Sequence, residues 1–135
     1  MPYINIRIAT RLTPDQRAQL FQQTTDAMDQ IMGKRRDVTV VHIDESDADG
    51  WSVNGEPLQA QSPVAVYVEV KITLGTNSDA EQAALISTLM ERCRHTIGTV
   101  QEACYVVVHE IKPTSWGFDG ITQAERAART VSGGG

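Results

Sequence analysis

This chain repeats itself, and the repeat limits the folds open to it more than any other feature. Tyr3-Ile4-Asn5-Ile6-Arg7-Ile8 and Tyr67-Val68-Glu69-Val70-Lys71-Ile72 stand 64 positions apart, and both alternate polar and apolar residues. In an extended chain successive side chains point to opposite faces. Ile4, Ile6 and Ile8 therefore share one face of a strand, and Val68, Val70 and Ile72 share one face of another. Each strand leads to a helix start, Thr13-Pro14-Asp15-Gln16 in the first half and Ser78-Asp79-Ala80-Glu81 in the second. Both are capping boxes, with a hydroxyl N-cap and a Gln or Glu three residues on to complete it. Pro14 suits the first helical position. Leu20, Thr24, Ala27, Met28 and Ile31, then Leu85, Leu89, Cys93 and Ile97, recur at helical spacing. Gly33 and Gly98 follow as C-terminal stops.

A second strand is expected after each helix, over Val38–Ile43 and Cys104–His109, with Glu45 or Glu110 just beyond. Trp51-Ser52-Val53-Asn54-Gly55 then parallels Trp116-Gly117-Phe118-Asp119-Gly120 at an offset of 65. Asn-Gly and Asp-Gly both favour tight hairpin turns. The change of offset from 64 to 65 places a one-residue insertion near Gly75–Asn77.

Each half thus reads as β-α-β plus a hairpin, approximately 2–58 and 65–122, joined by a linker at 59–64 and followed by a flexible tail at 130–135. A β-α-β crossover is right-handed with parallel strands. Two units side by side make one α+β (α/β) domain, a four-stranded sheet with two helices on one face. The other face still carries Val40 and Val107, which points to oligomerisation.

Composition narrows the function. At 135 residues, 41% of them hydrophobic, the chain is long enough for one core without staples. A net charge of -5 argues against a nucleic-acid or anionic-membrane partner, while leaving room for a locally positive pocket. No apolar run approaches the ~20 residues that span a bilayer. Met1-Pro2-Tyr3 opens straight into a strand pattern with no leader, so a cytoplasmic location is expected. Cys93 and Cys104 lack C-x-x-C spacing and read as reduced thiols, Cys93 in the helix core. His42 and His109 have no second ligand at metal spacing and read as structural or interfacial, so no metal site is expected.

The Met-Pro start, the β-α-β unit, the capping box near residue 13 and the aromatic hairpin closing the second strand together resemble the 4-oxalocrotonate tautomerase family. The likeness covers nearly the whole chain, once per half. Fused two-repeat members assemble as trimers, so the resemblance implies a homotrimer. It also implies catalysis by the amine of Pro2, freed by removal of Met1, with no cofactor. A neutral α-amine near pH 7 is a usable base and a protonated one a usable acid. Val66 holds the equivalent place in the second half, inside the chain, so one active site per chain is expected.

Four residues are candidates to support Pro2. Arg11 resembles the arginine that holds a substrate carboxylate, although Leu12 occupies the position directly before the N-cap where the oxalocrotonate enzymes have it. Their second arginine is replaced here by Val40 and Tyr105. Tyr105 matches the active-site tyrosine of the macrophage migration inhibitory factor branch, and a phenol there can donate to an enol or carbonyl oxygen. Lys34 resembles a pocket lysine of that branch; it is also placed to favour a helix C-terminus, as are Arg35 and Arg36. Trp51 corresponds to an aromatic that lines the pocket, and it is equally suited to anchor an interface.

The leading expectation is a cofactor-independent isomerase acting on a small enol or 2-hydroxydienoate carboxylate. A dehalogenase, hydratase or decarboxylase of a three-carbon acid is the alternative enzyme. The segment Thr73-Leu74-Gly75-Thr76-Asn77 lacks the cationic pair that decarboxylation needs after the third strand. A non-catalytic oligomeric binding protein is the remaining class.

Overall fold

The two alternating segments become the central strands of one sheet. In the computed structural model, which describes residues 1–132 with side chains through 129, β1 (Tyr3–Ile8) lies antiparallel to β5 (Val66–Thr73). Ile6 faces Val68 and Ile4 faces Val70 across that pair. β2 (Val40–Glu45) adds to β1 and β6 (Tyr105–Ile111) to β5, both parallel, as right-handed crossovers require. The resulting order is β2-β1-β5-β6. The sheet is mixed: each half is parallel within itself, and the halves meet head to tail.

The helices cover one face. α1 (Pro14–Gln30) and α2 (Asp79–Ile97) begin with complete capping boxes at Thr13 and Ser78. α1 buries Leu20, Thr24, Ala27 and Met28, and α2 buries Leu85, Leu89, Met90 and Cys93. These meet the inward residues of β1 and β5 in a single core. Burying one such aliphatic side chain contributes roughly 1.5–3 kcal/mol, which makes the Ile and Val ladder the main stabilising element. Cys93 belongs to this core as expected, and burial pushes its thiol up to about 12. The uncovered face carries Asn5, His42 and Asp44, with Asn5 Nδ2 donating to Asp44 Oδ2 at 3.0 Å. His42 and His109 lie on this face with Tyr105, as alternation requires.

Both hairpins form. β3 (Ser52–Val53) pairs with β4 (Glu56–Pro57), and β7 (Gly117–Phe118) with β8 (Ile121–Thr122). The turn pairs Asn54-Gly55 and Asp119-Gly120 all have positive φ, between 53° and 81°. That is the backbone sense a two-residue hairpin loop needs.

Three local expectations change. β2 starts at Val40 rather than Val38, because Arg36–Val38 form a short 3-10 turn. β6 runs on to Ile111. A third helix, α3 (Gln123–Ser132), enters the stretch read as a tail from 130; residues 133–135 lie outside the described residues. Its N-cap is Thr122, whose hydroxyl accepts from the Glu125 N–H at 3.1 Å.

Candidate active site

Because β1 and β5 are antiparallel, the start of the chain and the end of the third long strand share one end of the sheet. Tyr3 faces Lys71, and Pro2 lies one residue farther out, buried, its carbonyl accepting from the Val40 N–H at 3.4 Å. Three segments converge around it. Gly33, at φ +67°, turns the chain after α1 so that Lys34 crosses to the other half. Lys34 Nζ donates to Thr76 Oγ1 at 2.9 Å, and the Thr76 hydroxyl donates to the Thr73 carbonyl at 2.6 Å. The second hairpin is tied to the same strand by Trp116 Nε1, which donates to Thr73 Oγ1 at 3.2 Å.

α3 closes the remaining side. Its first residues are held by Gln123 N–H donating to the Trp116 carbonyl and Ala124 N–H to the Pro113 carbonyl. A cavity of about 460 Å³ results, lined by Met1, Thr73, Thr76, Arg35, Gln123 and Arg126 among others. No Asp or Glu is among the described residues that line it. The pKa of the Met1 amine is lowered, first by burial and then by the charges of Lys34 and Arg126. Burial also lowers the pKa of Lys34, against an opposing pull from Glu81. For the Met1 amine, burial and neighbouring positive charge both disfavour the charged form. The site is thus a half-enclosed pocket that makes a terminal amine easy to neutralise and keeps cations beside it.

Comparison with known proteins agrees with this geometry. A family model described as tautomerase enzyme matches residues 2–61. The probable tautomerase K2 of Dickeya dadantii (strain 3937) is 40% identical over 57 residues, which are 42% of this chain and 85% of that protein. The chain belongs to the tautomerase family.

Solved structures extend the likeness beyond the first half. Q0 fused 4-OT, a symmetric trimer, is 25% identical and superposes with a TM-score of 0.81, covering 94% of this tautomerase and 99% of the other chain. Pt0534, solved as inactivated by 2-oxo-3-pentynoate, shares the fold at 19% identity, with a TM-score of 0.81 over 92% and 98% of the chains.

Of the residues singled out from the sequence, Arg35 lines the N-terminal cavity, and Lys34, bonded to Thr76 of its wall, is near enough for its charge to lower the pKa of the Met1 amine. Tyr105 is level with Tyr67, and Tyr67 with Arg7. Tyr105 is therefore about 17 Å from Pro2 along the sheet and two strands across. Its side chain is exposed on the edge strand β6. Trp51 lies at that same far end, its indole N–H donating to Ser46 Oγ at 2.8 Å. Trp51 and Tyr105 line a cleft of about 390 Å³ together with Val66, the counterpart of Pro2. Arg11 is also at that end, donating to the Glu45 carbonyl and to Asp47 Oδ1, both at 3.2 Å. The head-to-tail pairing explains the placement: it sets the first hairpin beside Val66, where β5 begins, and the second at the opposite end of the sheet.

The residues that do join the cavity, and that spacing alone did not indicate, are Thr73, Thr76, Gln123 and Arg126. The Arg126 guanidinium sits 4.2 Å over the Phe118 ring and donates to Gln123 Oε1 at 3.1 Å. Among the described residues no three His, Cys, Asp or Glu side chains group so as to hold a metal ion. Among them, too, no helix is long and apolar enough to cross a membrane.

Proposed function

We propose that this tautomerase uses the nitrogen of Pro2, freed by removal of Met1, to move a proton in a small enol or 2-hydroxydienoate carboxylate. The observation that carries the reading is the Met1 amine held in a half-enclosed cavity with Lys34 and Arg126 near enough to lower its pKa. Loss of Met1 turns the Pro2 amide nitrogen into a secondary amine one residue deeper at the same end of the sheet. The ring and the Val40 hydrogen bond then hold its lone pair in one direction, which supplies orientation.

The neutral nitrogen takes the enol hydroxyl proton as the carbon–oxygen double bond forms. The resulting ammonium returns a proton to the adjacent carbon, so nitrogen ends as it began. In this reading Lys34 stabilises negative charge developing on the substrate oxygen. No cofactor is needed for these steps. Water-adding chemistry is less well served, since no carboxylate among the described lining residues is available to activate a water.

Assembly follows the fused 4-OT relative, a symmetric trimer. In a homotrimer of this chain the exposed end bearing Tyr105, and with it Arg11 or Trp51, could complete the Pro2 site only from a neighbouring copy.

The test is an intact mass followed by assays of phenylenolpyruvate ketonisation and 2-hydroxymuconate conversion, with Pro2→Ala as control. A mass lacking methionine and a rate at least ~100-fold lower in the variant are expected, the scale of general acid–base catalysis. Retained methionine, or a rate indifferent to Pro2→Ala, would sink the reading.

A further inference from the structure

The repeat relates the loop after β1 to the loop after β5, and the two differ by one residue. Four residues, 9–12, separate Ile8 from the N-cap Thr13, and five, 73–77, separate Ile72 from the N-cap Ser78. The longer loop turns through Gly75, at φ +84°, and reaches the end of α1 with two side chains. Asn77 Nδ2 donates to the Met32 carbonyl at 2.9 Å, and Thr76 Oγ1 accepts from Lys34 Nζ at 2.9 Å. The Thr76 hydroxyl itself donates to the Thr73 carbonyl at 2.6 Å, which turns its lone pairs toward the ammonium.

The opposite end of the sheet builds no counterpart. Thr99 stands 65 positions after Lys34, and its carbonyl accepts from the Val64 N–H at 2.9 Å. The inserted residue therefore acts at the end that carries the chain terminus.

An ammonium on a four-carbon stem stays in one place only if something anchors it. The charged groups around Lys34 do not hold it at the cavity. Glu81, in the first turn of α2, attracts it, while Arg126 and the terminal amine carry charge of its own sign. Arg35, on the same loop, is engaged with Asp37 at 2.6 Å. Thr76 is a neutral acceptor that lines the cavity, so its bond keeps the ammonium at the wall and away from Glu81.

We propose that Thr76 is a positioning residue that holds Lys34 beside the terminal amine, and that the one-residue insertion before α2 is what presents it. The catalytic consequence rests on the Pro2 reading, while the positioning itself does not need turnover.

Titration of the terminal nitrogen by NMR in the full, 15N-labelled chain tests this directly, beside the pH profile of kcat/KM for phenylenolpyruvate. Thr76→Val keeps the shape of the side chain and removes the hydroxyl, and Thr76→Ser keeps the hydroxyl. The midpoint of the nitrogen is expected to move to higher pH in Thr76→Val, in the sense of Lys34→Met, and to stay at the wild-type value in Thr76→Ser. In a Lys34→Met background Thr76→Val should add no further shift. One pH unit below the wild-type acid limb, kcat/KM of Thr76→Val should fall at least about threefold, with the plateau less affected. Thr76 is exposed on a loop, and Thr76→Ala decides the matter if Thr76→Val does not fold. A midpoint that Thr76→Val leaves in place, or moves as far without Lys34 as with it, overturns the proposal. A midpoint that answers to Thr76 through Lys34 in a protein without tautomerase activity would instead sink the Pro2 reading and keep this one.

Discussion

Lys34 Nζ donates a 2.9 Å hydrogen bond to Thr76 Oγ1, joining the loop after the first helix to the loop after the third long strand. The bond crosses from one half of the repeat to the other and holds an ammonium beside the terminal amine, whose pKa it helps to lower. A base works in its neutral form, so its activity is present above its pKa and fades below it.

Lys34→Met removes one of the two charges that lower the pKa of the Met1 amine while leaving burial, the larger cause, in place, and the Pro2 amine that replaces it at this end is expected to respond in the same sense. The pKa of the amine then rises toward its ordinary value. The acid limb of the pH profile of kcat/KM is expected to move to higher pH, with the plateau less affected. A limb that stays in place or moves to lower pH contradicts the assignment.

Glu45 ties the far end of the sheet together. Its carboxylate accepts from the Leu12 N–H at 2.5 Å and from two Arg17 nitrogens at 2.9 and 2.6 Å. The Leu12 bond first, then Arg17, hold its pKa below the usual carboxylate value. A depressed carboxyl contributes stability that is present above the unfolded pKa, about 4.3, and is lost as pH falls through the folded value. Thermal melts of wild type and Glu45→Gln are therefore expected to differ at pH 6–7 and to converge on acidification below about pH 4. A gap that persists or widens at low pH counts against the assignment.

Gly117 begins the hairpin that leads into α3. A Cβ there would stand 2.5 Å from the Ile121 carbonyl oxygen and 2.9 Å from its carbon, both backbone atoms that cannot rotate aside. Gly117→Ala is expected to cost about 1–3 kcal/mol in denaturant unfolding. Because α3 is displaced with the hairpin, KM for phenylenolpyruvate should rise as well. Unchanged stability would mean that the hairpin relaxes freely.

Cys93 should be inert in the folded protein. It is buried in the core, and a thiol pushed up to about 12 has little thiolate at neutral pH. Alkylation at pH 7.5 followed by peptide mapping is expected to leave Cys93 unmodified until denaturant is added. Labelling of Cys93 in the native state would show that α2 opens far more readily than its packing implies.

Much of the fold was legible because local signals agreed with one another. Alternation at Ile4, Ile6 and Ile8, the boxes at Thr13 and Ser78, and the Asn54-Gly55 and Asp119-Gly120 turns each depend on nearby residues alone. Lys34 was singled out by resemblance, and Gly33 just before it, in the left-handed region, turns the chain there. The partners of the site were not legible, because they depend on how the halves meet. Nothing local reports that β1 and β5 run antiparallel, which sends Trp51 and Arg11 to the Val66 end and brings Thr76 and Trp116 to the Pro2 side. α3 did have a local mark, Thr122-Gln123-Ala124-Glu125, the same hydroxyl-x-x-acid start as Ser78 to Glu81. The repeat offers no counterpart to it, since Pro57-Leu58-Gln59-Ala60 in the first half carries no such start.

The account's central claim is a free Pro2 amine that is reactive near neutral pH. The most direct measurement is incubation at pH 7 with 2-oxo-3-pentynoate, an acetylenic oxo acid able to add an amine, followed by intact mass and peptide mapping. The account predicts a chain without Met1 that gains one adduct, located on the Pro2 nitrogen, with loss of ketonisation activity in proportion. A chain that keeps Met1, or that is modified elsewhere while Pro2 stays free, would contradict it.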